Sequence, residues 1–201
     1  EIERGICDAS KDYVTILLVI TNIAVYIFCT IQGNVLYNMG SLSVVDIIDR
    51  RDYYRILTSL FLHANPQHIW GNMIFLAALG DMLERSIGHG RFFAIYMLAG
   101  IGGNLLSMGH ELATGQFCST IGASGAVFGL IGALLLLICK NNGTYGQISF
   151  RRMIFAIVYL FYSGTQSETT NNMAHLGGFI TGFAVMAVFY CITRRRYKRI
   201  R

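Results

Sequence analysis

The chain has 201 residues, 54% of them hydrophobic and 13% charged, with a formal net charge of +5 and a mean hydropathy of +0.50. Soluble domains carry roughly 25% charged residues, so half that density in long uncharged runs excludes an ordinary soluble domain and indicates a lipid-embedded chain. The positive charge does not mark a nucleic-acid surface: its densest cluster, Arg194 to Arg201, directly follows an apolar run, the position of a juxtamembrane anchor against lipid headgroups.

Six apolar segments are expected to span the bilayer: about Tyr13–Ile31, His68–Leu83, Phe92–Leu112, Ser124–Cys139, Met153–Tyr162 and Met173–Thr193. A span needs roughly 20 apolar residues to cross hydrocarbon, so the fifth is short. The chain opens Glu1-Ile2-Glu3, without Met, and the first run is long enough to remain as a span instead of being removed as a leader. The connection from Gln32 to Pro66 is too long for a turn, and is expected to fold onto or into the outer leaflet. In it Arg50, Arg51 and Arg55 are offset by Asp46, Asp49 and Asp52. Residues 1–201 are expected to form a single membrane domain.

Lys and Arg set the orientation. With six spans, Arg85 and Arg91, then Lys140, Arg151 and Arg152, then the C-terminal tail all fall on one side. The opposite loops, Ala113–Ile121 and Ser163–Asn172, hold no Lys or Arg. Both termini are therefore expected to be cytoplasmic, and the compact plan suits a bacterial inner membrane.

Polar residues within spans are costly and mark function. Ser124 opens the fourth span in Gly122-Ala123-Ser124-Gly125, His175 opens the sixth in Ala174-His175, and His68 and Asn72 share one face of the second. All lie near the outward ends of their spans, where they can converge. The 16 residues from Ser124 to Cys139 rise ~24 Å against ~30 Å of hydrocarbon, which would recess the hydroxyl below the outer surface. A serine needs a base to attack a carbonyl, and imidazole is the usual one. The oxyanion needs donors, available from the Ser124 backbone N–H at a helix N-terminus and from the Asn72 and His68 side chains. No acid lies near His175 in sequence, so a Ser–His dyad is expected. Gly122, Gly125 and Gly129 at the start of one span, and Gly178 and Gly182 on the other, are expected to pack the helices closely at the site. Phe128, one turn from Ser124, is placed to pack on the imidazole.

Taken together, these residues resemble the rhomboid family of intramembrane serine proteases, through Gly122-Ala123-Ser124-Gly125, Ala174-His175 with Gly178 and Gly182, His68-Ile69-Trp70-Gly71-Asn72, and Glu84 with Gly88. The resemblance runs from about Tyr13 to Thr193. It implies an all-α, six-span rhomboid-like bundle with a partly membrane-embedded first outer loop. It also implies Ser124 as nucleophile, His175 as base, and His68 and Asn72 on the oxyanion side. Tyr54-Arg55 stands where the family often has Trp-Arg, and Phe128 where a Tyr often sits; neither change removes a catalytic group.

Other readings are weaker. His110-Glu111 suggests a zinc protease, but Thr114 occupies the second His position of HExxH. A GxSxG elbow fails at Ala126. Asp81 and Glu84 are expected to pair with Arg85, Arg91 or open backbone N–H groups, His89 to be solvated, and the five scattered Cys to be small buried hydrophobes. No cofactor, metal or nucleic acid is expected as a partner. The expected partners are membrane lipids and, as substrates, single-span transmembrane proteins cleaved near the outer leaflet. A silent relative that only binds helices would not need both Ser124 and His175, and a small transporter would show inverted repeats.

Overall fold

The computed structural model describes residues 11–167 and 170–200, with side chains through residue 193. Among the described residues, nine helices and one small hairpin follow in order: α1 (Tyr13–Gln32), α2 (Val35–Gly40), α3 (Val44–Arg50), α4 (Arg55–Thr58), a 3-10 turn (Ser59–Phe61), α5 (Pro66–Ile87), α6 (His89–Thr114), α7 (Ser124–Lys140), strands β1 (Thr144–Tyr145) and β2 (Ile148–Ser149), α8 (Phe150–Thr165) and α9 (Asn172–Ile200). Cys7 and Arg201 fall outside the described residues, as do the side chains of the basic tail from Arg194.

Among the described residues, three helices are long and apolar enough to cross a membrane: Tyr13–Gln32, His89–Thr114 and Asn172–Thr193. Along α1, Ile16, Leu17, Ile20, Ile23, Ile27 and Ile31 are exposed. A surface of that kind is stable in lipid and not in water, and the chain is an integral membrane protein.

α7 is apolar on all sides and accordingly central. From Gly125 to Leu134 every residue is buried, and the helix packs mainly on α9 and α6, with α5 and α8 further out. Its contact with α9 is backbone on backbone. A Cβ on Gly178 would strike the Gly125 carbonyl, and one on Gly182 the Gly129 carbonyl.

The segment read as one long connection holds three short helices and a 3-10 turn. Ser43 caps α3 by accepting from the Asp46 N–H at 3.3 Å. Arg55 is buried, and its guanidinium donates to the carbonyls of Asn38 (2.9 Å) and Ser41 (3.1 Å) and pairs with Asp52 (3.1 Å) and Asp46 (3.4 Å). One arginine thus gathers α2, α3 and α4. Asp49 takes no part in that pairing.

The fifth apolar segment forms a 16-residue helix, α8, longer than the ten residues expected, because Ser149 caps it ahead of the charged Phe150-Arg151-Arg152 turn. At the far end of α5, Asp81 pairs with Arg85 at 2.6 Å. The buried Glu84 accepts from the Val14 and Thr15 N–H groups at 2.8 and 2.7 Å and from the Thr15 hydroxyl at 2.6 Å. It thereby closes the open donors at the start of α1. His89 is not simply solvated, since its Nδ1 meets the same carboxylate. Among the described cysteines only Cys29 is buried; Cys118, Cys139 and Cys191 are exposed. The expectation of buried cysteines fails there: Cys139 sits at the end of α7, Cys118 in a loop, and Cys191 on an outward face of α9.

Candidate active site

Ser124 is the first residue of α7, and His175 lies in the first turn of α9. The close glycine contacts begin one residue after Ser124 and three after His175, so the two side chains meet where the helices cross. The separation of His175 Nε2 from Ser124 Oγ is 3.0 Å. The Phe128 ring stacks on the imidazole with centroids 4.1 Å apart and planes 10° from parallel, as its position one turn along α7 requires. Phe161 of α8 stands edge-on to Phe128, with ring centroids 5.1 Å apart. His175 Nδ1 is buried without a hydrogen-bond partner among the described residues.

The loop before Ser124 is pinned twice. Thr120 and Leu42 form an isolated antiparallel bridge, with N–O distances of 2.9 and 3.0 Å, and the Gly122 N–H donates to the Ser59 carbonyl at 2.8 Å. Gly122 has φ +124°, a left-handed conformation. A Cβ there would lie 2.7 Å from His68 Nε2 and 3.9 Å from Asn72 Nδ2. Glycine is thus required both by the backbone and by the closeness of His68, and the structure brings His68 and Asn72 against the backbone two residues ahead of Ser124. Asn65 caps α5 by accepting from the His68 N–H at 2.8 Å, with Pro66 as the first helical residue. The Ala64 N–H donates to His68 Nδ1 at 3.5 Å, and Asn72 Nδ2 donates to the His68 carbonyl at 3.1 Å.

Sequence reasoning missed several residues around the site. His63 is buried edge-on to the His68 ring at 5.1 Å; burial first, and then His68, lower its pKa to about 4. Asn104 of α6 donates to the Ile56 carbonyl (2.8 Å) and the Ser59 hydroxyl (2.9 Å), holding the 3-10 turn that anchors Gly122. Asn171, Ser107 and Glu111 form a further chain of bonds. The available signal was a cluster of polar residues in and beside apolar helices, but nothing in their spacing linked them to Ser124. No group of His, Cys, Asp and Glu suited to a metal occurs among the described residues.

A helical integral membrane protein with a serine and a histidine paired at a helix crossing is the class that fold and site define. The profile of the Rhomboid domain matches residues 50–191, and the chain belongs to the rhomboid family. It is 36% identical over 156 residues to RHOMBOID-like protein 1 of Arabidopsis thaliana, covering 77% of this chain and 39% of that protein. It is 33% identical over 141 residues to rhomboid protease GluP of Bacillus subtilis, covering 70% and 27%. To Rhomboid-like protease 1 of Toxoplasma gondii it is 34% identical over 162 residues, covering 76% and 52%. The chain thus spans from about a quarter to about half of the length of these relatives. They come from a plant, a bacterium and a parasite, so kinship does not favour a bacterial inner membrane.

Proposed function

We propose that this chain is an intramembrane serine endopeptidase, with Ser124 as nucleophile and His175 as general base. The observation that carries the reading is the 3.0 Å separation of Ser124 Oγ and His175 Nε2, at the end of a helix whose body is buried in the bundle. The names of rhomboid protease GluP and Rhomboid-like protease 1 support the same activity.

The chemistry follows from the atoms present. Nε2 accepts the Ser124 proton as Oγ adds to the scissile carbonyl, and the negative charge moves to the carbonyl oxygen. Donors for that oxyanion are the Ser124 backbone N–H, open because it begins α7, the Asn72 amide and the His68 ring. With its Nδ1 accepting from the Ala64 N–H, a neutral His68 carries its proton on Nε2, the nitrogen that faces Gly122. The imidazolium of His175 then protonates the leaving amine. Water, deprotonated by the same ring, releases the acyl group and regenerates Ser124. Phe128 holds the imidazole plane throughout. Gly125, Gly129, Gly178 and Gly182 let the two helices stand close enough for the dyad, and no metal or cofactor enters.

The six-span plan rests on α5, α7 and α8 joining the three long apolar helices, and on the one-sided distribution of Lys and Arg, which sets both termini in the cytoplasm. Residues 1–201 then act as one membrane domain. Exposed apolar side chains along α2 to α4, including Val35, Met39, Val45, Ile48 and Leu57, support partial immersion of that first outer loop. The bond cut would lie toward the outer leaflet, in a single-span protein whose helix unwinds locally, because helical backbone is poorly open to a nucleophile.

The test is cleavage of a single-span substrate in liposomes together with fluorophosphonate labelling. The parent should cut and label, while Ser124→Ala should do neither and His175→Ala should lose cleavage. Parent protein that cuts no substrate and takes no label would end the reading.

A further inference from the structure

We infer that Glu111, far from His175 in sequence and not in contact with its ring, is the positioning residue that sets the histidine for catalysis; this rests on the proposed protease reading. The imidazole has no partner at Nδ1 among the described residues, so its orientation comes from Phe128 and from the first turn of α9. Asn171 holds that turn. Its Oδ1 accepts from the Ala174 N–H at 3.0 Å, and its carbonyl accepts from the His175 N–H at 3.2 Å. The Asn171 amide in turn donates to the Ser107 hydroxyl at 2.6 Å and to the Thr120 hydroxyl at 2.8 Å.

Ser107 passes the bond on. Having accepted from Asn171, its hydroxyl donates to Glu111 Oε1 at 3.1 Å. The carboxylate also accepts from the Cys118 N–H at 3.3 Å, on Oε2, and from the Cys118 thiol at 3.6 Å. Every bond Glu111 makes is one that it accepts. It is buried, and it has no ion pair among the described residues. Hydrogen bonds to a buried carboxylate are strong and directional, and a chain of them polarises along its length.

The network reaches both halves of the dyad. Through Ser107 and Asn171 it fixes the turn carrying His175. Through Cys118 and Thr120 it fixes the loop that leads to Ser124 and is bridged to Leu42. A carboxylate that binds the imidazole in a triad orients it directly; here the carboxylate acts three bonds away, on the backbone that presents the ring. Small errors in such placement lower turnover more than they lower binding.

The experiment compares Glu111→Gln, Ser107→Ala and Asn171→Ala in full-length protein, reading kcat and KM on a single-span substrate in liposomes, the rate of fluorophosphonate labelling, and the melting temperature. Glu111→Gln keeps the shape but turns an amide donor toward donors. We expect a ~10-fold fall in kcat and in labelling rate for each variant, with KM within ~2-fold. Glu111→Gln combined with Ser107→Ala should be no worse than the poorer single variant, because both break one chain. Glu111→Asp should recover part of the rate. Parent-like kcat in Glu111→Gln, or a loss that follows melting temperature, or multiplied losses in the double variant, would overturn the inference. Parent protein that neither cuts nor labels would instead refute the protease reading itself.

Discussion

The imidazole of His175 lies parallel to the ring of Phe128, with centroids 4.1 Å apart. Ring stacking contributes about 0.5–1.5 kcal/mol beyond area burial, and here it also fixes the plane in which Nε2 faces Ser124. Phe128→Leu keeps the apolar volume but removes the flat surface. Its kcat should fall ~10-fold with little change in KM, as expected for an interaction that orients the base. Phe128→Tyr should keep most of the rate. Steady-state cleavage by the three proteins decides, and an unimpaired leucine variant would mean that the ring is filler.

The glycine contact between α7 and α9 makes a second claim. A Cβ on Gly178 would strike the Gly125 carbonyl, whereas one on Gly71 of α5 would meet nothing within 4 Å. Gly178→Ala should therefore push the helices apart, costing about 1–3 kcal/mol as overpacking does, and open the 3.0 Å separation of Ser124 and His175. Gly71→Ala should be neutral. Melting temperature and labelling rate should fall together in the first variant and hold in the second.

How far the sequence revealed this site depended on which contacts had a local signature. Ser124, His175 and Phe128 were readable because helical periodicity places Phe128 one turn from Ser124, and the glycine spacings identify the faces that touch. Six apolar runs located the main helices to within four residues at every end but the last, where α9 continues through the basic tail to Ile200. The short helices α2 to α4 were not readable: no 3.6-residue pattern runs long enough there, and they are assembled by Arg55 through contacts to Asn38, Ser41, Asp46 and Asp52. Ser107, Glu111 and Asn171 were missed for a related reason. Ser107 and Asn171 are 64 residues apart, and only the folded bundle joins them.

Glu84 supplies a third test, remote from the chemistry. It is fully buried and closes the backbone donors of Val14 and Thr15, so it fastens α1 to α5. Glu84→Ala leaves buried donors unsatisfied and should cost about 2–4 kcal/mol, read as a drop in melting temperature in micelles. The folded fraction should cleave at the parent rate, because α1 carries no residue of the site. A stable variant with low kcat would refute this division between fold and chemistry.

His63 makes stability depend on pH, and the sign follows from its surroundings. Its ring is completely buried beside His68, and burial lowers its pKa from 6.5 to about 4. The neutral ring is therefore favoured in the folded protein, while the unfolded chain binds a proton between pH 6.5 and 4. Stability is fully present above pH 6.5 and is lost as pH falls toward 4, by about 3 kcal/mol at 1.36 kcal/mol per unit. Other groups titrate in the same interval, so the decisive quantity is a difference between proteins. Melting temperatures at pH 7.5 and 4.5 should drop less in His63→Phe than in the parent, because a ring that takes no proton has none to bind on unfolding. Equal drops would mean that His63 is already charged in the folded state, or that acid acts elsewhere.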